Sequence, residues 1–378
     1  MRIELCFVVG DLMRISFRNW DVYLSESSFP EEVMVELTTH CNLSCIHCFR
    51  NTMKEDFGWM SDDIIRSTLK YIVENNVKRV SLSGWGEPLL HPKALWFIEK
   101  LKEKDIFVIL NTNGVLLSRF ADRIVELCVD EVIVSVDSVR KSTYESIRRG
   151  SNIDNILSGL EHVRNLKKEF GSTKPLLSIQ FTVNILNYHD IPYLIDFANK
   201  FGIGKIVLSN IIPVSRNHEE LACYNDEECI SRSEEYIREL GRRLAFIWNI
   251  QFVKSYFRPQ QAFSCPFIDR NALFIRWDGG IAPCINYAHS WRFYYDGVPR
   301  DINSVIFGHI RDGLLNVWRR REYVEFRFRA EFGYRPSCFD CELKDYCYYT
   351  LSNDSDCYGN SPTCAHCPYA RGLSICPL

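Results

Sequence analysis

The sequence predicts an α/β fold in which six strands alternate with helices to build a parallel sheet or barrel, followed by a cysteine-rich region. Three observations predict it. β-rich runs and helical patterns take turns from residue 33 to residue 209; polar and cysteine residues recur just beyond the strands; and seven cysteines fall in residues 1–264 against nine in residues 265–378.

Taken in order, the strands are 33–38, 78–83, 106–111, 131–136, 177–183 and 205–209, each a short run of β-branched and aromatic residues. Helical patterns lie at 61–75, 92–103, 117–128, 151–169 and 189–202. Ser61 opens the first as an N-cap, and Gly202 and Gly204 close the last. Strictly alternating strands and helices imply right-handed crossovers, and such folds bind ligands at the strand C-termini. Cys41 follows the first strand, residues 84–87 the second, 111–114 the third, Asp137 the fourth and Asn184 the fifth, so these groups line one mouth. A polar, Glu-rich helical segment near 226–247 leads into the cysteine-rich region.

At about 150 residues per domain, 378 residues make two domains or one large one. An apolar fraction of 46% with 25% charged residues suits a packed core and excludes a disordered chain. Basic and acidic residues balance at 45 against 48, which argues against nucleic acid or an anionic membrane as a partner. No apolar run approaches the roughly 18 residues of a spanning helix, and the N-terminal apolar patch is too short for a signal peptide. The expectation is a cytoplasmic protein. In such a compartment dense cysteine means metal or iron–sulfur ligation rather than disulfides.

The most specific pattern is Cys41-x3-Cys45-x2-Cys48 on the loop after the first strand. Cysteine frequency alone would give about 0.03 such patterns in a chain of this length. Three thiolates at this spacing converge on one cluster and leave a fourth iron open to a ligand; the alternative is a zinc site completed by His40 or His47. After the second strand, Ser83-Gly84-Trp85-Gly86-Glu87-Pro88 joins glycines that let backbone approach a ligand to a carboxylate.

These two loops resemble those of the radical S-adenosylmethionine (radical SAM) enzymes. The resemblance implies a partial (β/α)6 TIM-like barrel in which Cys41, Cys45 and Cys48 hold a [4Fe-4S] cluster and its open iron chelates the amino and carboxylate groups of S-adenosylmethionine. It places His47 near the adenine, where the family usually has an aromatic residue, and Gly84, Gly86 and Glu87 at the methionine amino group, with Trp85 inserted in the family's Gly-Gly-Glu motif. It sets Ser135 and Asp137 at the ribose, with a helix cap as the other reading, and Asn184 or Gln180 at the carboxylate.

Cys265 and Cys284, then Cys338-x2-Cys341-x5-Cys347, Cys357, Cys364-x2-Cys367 and Cys376, resemble the SPASM extension of these enzymes, which houses one or two auxiliary [4Fe-4S] clusters. By that resemblance Cys265, Cys284 and Cys357 serve the first. Cys338, Cys341 and Cys347 serve the second, completed by Cys364, Cys367 or Cys376. Two departures stand out: nine residues separate Cys347 from Cys357, and three cysteines follow where the family has one. A zinc ribbon joining Cys338 and Cys341 to Cys364 and Cys367 is the rival. Cys6, Cys128, Cys223 and Cys229 read as core or incidental, and Arg319, Arg320, Arg321, Arg327 and Arg329 as a solvated helix face.

The expected organisation is an N-terminal segment 1–31, a barrel 32–215, a connecting segment 216–260 and an iron–sulfur domain 261–378. Cys48-Phe-Arg-Asn-Thr and the residues from Cys364 to Pro377 resemble maturases associated with tungsten-cofactor oxidoreductases. That resemblance implies a radical maturase acting on a tungsten-pterin enzyme or its cofactor, with an electron donor such as a ferredoxin or flavodoxin. The alternatives are a peptide-modifying enzyme that forms a thioether or carbon–carbon crosslink, and a non-catalytic iron–sulfur or zinc protein. The roughly 30 residues before the first strand are too few for a leader-binding domain, which counts against the peptide reading. A carbon radical must be shielded from solvent, so the extension or the substrate is expected to cover the mouth.

Overall fold

Parallel pairing organises the chain from Glu32 onward. The computed structural model describes residues 12–16, 19, 21–25, 29–247, 249–261, 263–332 and 335–378; Cys6 lies outside them. An antiparallel pair, β1 (Leu12–Ser16) and β2 (Asp21–Ser25), precedes the barrel. The strands β3 (Glu32–Val35), β4 (Arg79–Leu82), β5 (Phe107–Thr112), β6 (Glu131–Ser135), β7 (Leu176–Val183) and β8 (Lys205–Asn210) then pair in sequence order, all parallel. They are the six predicted strands. β3 stops at Val35 because Thr38 already bridges to Trp59 as the chain turns into the cysteine loop. Val33, Met34 and Val35 are fully buried, as a parallel strand covered on both faces requires.

Helices cover the outer face: α1 (Asp62–Glu74), α2 (Ala94–Lys102), α3 (Leu117–Glu126), α4 (Lys141–Ile147), α5 (Ile153–Glu169) and α6 (Leu194–Phe201). The Ser61 hydroxyl accepts from the Ile64 amide, and Asp62 and Asp63 complement the positive end of the helix dipole. α1 buries Ile64, Ile65, Thr68 and Ile72, one stripe at helical spacing. Gly202 ends α6 with φ 68°, the left-handed conformation a glycine adopts without strain. The predicted helix 189–202 divides into a 3-10 segment, Tyr188–Tyr193, and α6, because Pro192 has no amide to donate. α4 had no sequence signal: its seven residues bury only Tyr144 and Ile147.

Beyond the barrel, α7 (Glu227–Leu244) is capped by Asp226, which accepts from the Cys229 amide. Cys229 and Cys223 are buried, as the core reading of this pair expects, and they are disulfide-bonded to each other, which that reading did not include. β9 (Gln251–Lys254) extends the sheet parallel to β8. After the one-turn helix α8 (Pro266–Asp269), β10 (Ala272–Ile275) pairs parallel with the opposite edge at β3. β11 (Gly280–Ala282) follows antiparallel, a hairpin of β12 (Trp291–Tyr295) and β13 (Val298–Ile302) stands apart, and β14 (Gly308–His309) ends the ten-stranded sheet. The cysteine-rich region therefore shares the barrel's sheet. Among the described residues no helix is long and apolar enough to cross a membrane.

Candidate active site

At the C-terminal ends of the strands lies a cavity of about 220 Å³. Cys41, Cys45, His47 and Cys48 line it from the loop after β3, Gly84, Gly86 and Glu87 from the loop after β4, and Ser135 from the end of β6. The two loops are fastened to each other, since the Glu87 amide donates to the His40 carbonyl at 2.9 Å. This contact explains Gly86. A Cβ there would stand 2.2 Å from the Thr38 carbonyl oxygen and 2.6 Å from that of His40, backbone that cannot move aside. At Gly84 a Cβ would meet the Glu36 side chain at 2.6 Å, and Glu36 is held by the Trp85 amide and by His289.

The inserted Trp85 has its own part. Its indole donates to the Ile285 carbonyl, and its ring packs at 5.8 Å from Phe49 and edge-on at 5.7 Å to Trp291. One side chain thus ties the glycine loop to the cysteine loop and to the cysteine-rich region.

Glu87 is buried. Its carboxylate accepts from the Thr112 hydroxyl at 2.8 Å, the Asn113 amide at 2.7 Å and the Leu89 amide at 3.1 Å. Burial nevertheless outweighs these bonds and pushes its pKa up to about 7. The Asn113 amide group reaches the Cys41 sulfur at 3.5 Å. His47 is held neutral, its pKa pushed down to about 4 by burial despite the nearby Asp137 carboxylate, and its buried Nδ1 has no hydrogen-bond partner. Burial raises the Cys45 thiol to about 11. A buried thiol of that kind is a poor anion on its own and a good ligand once iron replaces its proton.

Asp137 and Asn184 stand behind the wall. The Asp137 carboxylate accepts from the Thr182 amide at 2.7 Å, meets Arg148 Nε at 2.7 Å and lies 3.6 Å from His47 Nε2. Arg148, which carried no sequence signal, lines the cavity in its place, with Nη1 3.9 Å from the Cys45 sulfur. Asn184 closes the turn after β7 by donating to the Thr182 carbonyl and accepting from the Leu186 amide, while Gln180 and Thr182 face the cavity. The cover comes from the far end of the chain: Tyr369, Ser374, Ile375 and Pro377 complete the wall, and Ser374 bonds Ser209 at 2.7 Å.

The remaining cysteines form two neighbourhoods. Cys284 lies beside Cys265, Cys364 and Cys367, and Cys376 beside Cys265 and Cys367; burial first, then these neighbours, raise both thiols. Cys338, raised by burial to about 12, has Cys341 and Cys357 as neighbours, and Cys357 has Cys341 and Cys347. The expected grouping is corrected on this point. Cys357 joins Cys338, Cys341 and Cys347, because residues 352–356 bond back to β13 and Asn303. Cys364 and Cys367 join Cys265, because the Ser264 amide donates to the Ala370 carbonyl. The ribbon pairing is not made either. Cys338 neighbours Cys341 and Cys357, whereas Cys364 and Cys367 neighbour Cys265.

Comparison with known proteins matches the radical SAM superfamily over residues 35–198 and the SPASM iron-sulfur cluster-binding domain over residues 265–342. A relative from Pyrococcus furiosus, the tungsten-containing aldehyde ferredoxin oxidoreductase cofactor-modifying protein, is 28% identical over 91% of this chain and 96% of its own. A probable GTP 3',8-cyclase from Methanococcus maripaludis is 27% identical over 66% of this chain and 83% of its own. Among solved structures, anSMEcpe with bound AdoMet and Cp18Cys peptide has a TM-score of 0.60 at 18% identity, covering 91% of this chain and 96% of that one. Streptococcus suis SuiB bound to S-adenosylmethionine also reaches 0.60 at 18% identity, covering 85% of this chain and 72% of that one, and at such identities the likeness is one of fold. The two matches show that this chain joins a radical SAM domain to a SPASM domain, the first implying a [4Fe-4S] cluster with S-adenosylmethionine and the second auxiliary iron–sulfur clusters.

Proposed function

We propose that the chain is a maturase acting on a cofactor, in the assembly of a tungsten-pterin oxidoreductase of the aldehyde ferredoxin oxidoreductase type. The observation that carries the reading is the match to the cofactor-modifying protein of Pyrococcus furiosus, which runs through both cysteine regions and nearly the whole of each chain. Cluster and S-adenosylmethionine together supply, on one-electron reduction, a 5'-deoxyadenosyl radical that abstracts hydrogen. Cys41, Cys45 and Cys48 would hold the cluster. Glu87, once ionised, would accept from the methionine ammonium, and Arg148 would offer a fixed cation to the methionine carboxylate, with Asp137 positioning it. Ser135 would serve the ribose and His47, a neutral ring, the adenine, and Gln180 faces the same space. Tyr369 and the 374–377 segment keep water out. An electron donor such as a ferredoxin or flavodoxin and a cytoplasmic location complete the proposal.

Peptide modification is the second reading, since SuiB was solved with its precursor peptide. The covering segment weighs against it, because a peptide would have to displace Tyr369 and Pro377.

Iron, sulfide and 5'-deoxyadenosine are to be measured after anaerobic reconstitution. About twelve irons per chain are expected, falling to about eight in the Cys41→Ala/Cys45→Ala/Cys48→Ala variant with loss of deoxyadenosine. Cys265→Ala and Cys364→Ala are expected to remove the same auxiliary cluster by electron paramagnetic resonance, and Cys357→Ala the other. An unchanged iron count in the triple variant overturns the radical reading. A tungsten oxidoreductase that is fully active in cells lacking this chain overturns the maturase reading.

A further inference from the structure

Arg300 occupies a core position. On β13 it and Ile302 turn to the buried side, at the alternation a strand imposes, and both side chains are wholly enclosed. The guanidinium lies 4.9 Å from the centroid of the Phe339 ring and 5.8 Å from that of Tyr295. One Nη donates to the Cys338 carbonyl at 2.8 Å, the other meets His366 Nδ1 at 3.0 Å, and the buried Nε has no hydrogen-bond partner.

What the guanidinium lacks is a counter-ion. Among the described residues no carboxylate pairs with it: the acids that act on it from a distance, Asp296 and Asp345, are exposed, and Asp296 is already paired with Lys344 at 2.8 Å. Other buried arginines are provided for, Arg148 by Asp137 and Arg276 by Asp278. A wholly buried cation left alone is costly, so an anion is missing from its surroundings. The nearest source of one is Cys338. Burial raises that thiol, and the group that most opposes the rise is Arg300; in turn Cys338 is the first group to oppose the effect of burial on Arg300. With Cys341, Cys347 and Cys357 gathered around Cys338, the charge available is that of a whole cluster site. Four thiolates on a [4Fe-4S] core make a net anion that gains one more negative charge on reduction, so a fixed cation beside it favours the reduced form. The unpartnered Nε and the absent carboxylate both fit such a group.

We infer that Arg300 is the built-in countercharge of the auxiliary cluster held by Cys338, Cys341, Cys347 and Cys357, and that it raises the reduction potential of that cluster. Arg300 does not line the cavity of Cys41, Cys45 and Cys48, so it acts on the auxiliary site alone. This role is independent of the molecule on which the radical acts.

The full chain is reconstituted anaerobically and titrated with dithionite and redox mediators under electron paramagnetic resonance, with Cys357→Ala identifying the signal of this cluster by its loss. Arg300→Gln and Arg300→Met remove the charge, the first keeping an amide donor. Both are expected to lower the reduced-to-oxidised ratio of this cluster at a fixed potential by about tenfold, which is about 59 mV for one electron, and to leave the other clusters unmoved. Arg300→Lys keeps a cation and is expected to stay within about twofold of wild type. A residue that only braces the fold would destabilise it and shift no single midpoint. An unmoved midpoint in both neutral variants, an equal fall in Arg300→Lys, or the same fall at every cluster would overturn the inference. If the neutral variants lose about four irons per chain, retention of the cluster by Arg300→Lys supports the countercharge, and its loss there too overturns it.

Discussion

Replacing Asp137 tests whether it positions the site or binds the cofactor directly. Its carboxylate is fully buried and 2.7 Å from Arg148 Nε, and the Arg148 side chain is only 8% exposed. At such burial solvent screening takes little from the pair, and breaking it costs about 3–5 kcal/mol, mostly the penalty of leaving one charge alone. Asp137→Asn keeps an oxygen for the Thr182 amide and removes only the charge, so about 3 kcal/mol of destabilisation is expected. Arg148→Met strands the carboxylate instead and is expected to cost about 3–5 kcal/mol. In the double variant neither charge is left alone, so its cost should fall short of the sum by about 2–3 kcal/mol. Urea unfolding of anaerobically reconstituted protein, followed by circular dichroism, gives the cycle, and S-adenosylmethionine affinity is measured alongside. Single variants within about 1 kcal/mol of wild type, or a strictly additive double, would refute the buried-pair argument. Asp137→Asn that lowers affinity at unchanged stability would make Asp137 a direct ligand.

Gly86→Ala is expected to push the glycine loop off the Thr38 and His40 carbonyls, at about 1–3 kcal/mol, with loss of S-adenosylmethionine binding; wild-type binding would show that the loop is not seated on the cysteine loop. Glu87 supplies a pH signature. Its folded pKa of about 7 lies above the ordinary 4.5, so the carboxyl stabilises the fold at pH below 4.5 and loses that contribution as pH rises to 7, by about 3 kcal/mol in all. Unfolding measured against pH should therefore show a fall in wild type that is absent in Glu87→Gln, and identical profiles would contradict it.

The barrel was legible because its strands are continuous β-branched runs between amphipathic helices, and Cys41, Cys45, Cys48, Gly86 and Glu87 because their spacing is local. What stayed hidden depends on distance in the chain. Arg148 is one arginine among several, distinguished only when α4 carries it over Asp137. The partners of Cys357 and Cys364 follow from how 352–356 and 363–371 fold back on β13 and Ser264, which spacing does not encode. The disulfide between Cys223 and Cys229 stayed hidden because a six-residue separation has no signature until a 3-10 turn and a helix bring them together. The late strands β9 to β14 run two to five residues, too short to show a period.

The pairing of β10 with β3 also dictates an order of events during synthesis. Glu32 meets Ala272, so the edge strand beneath the cysteine loop waits for 240 further residues before its neighbour exists. At the ribosomal pace of about 5–20 residues per second that interval is roughly 12–48 s. Throughout it the apolar strand Glu32–Val35 has an open edge, and Trp85 lacks Ile285 and Trp291 to pack on. The three thiols meant for iron are thus made first and enclosed last, which leaves the growing chain open to cluster delivery until the final hundred residues seal it.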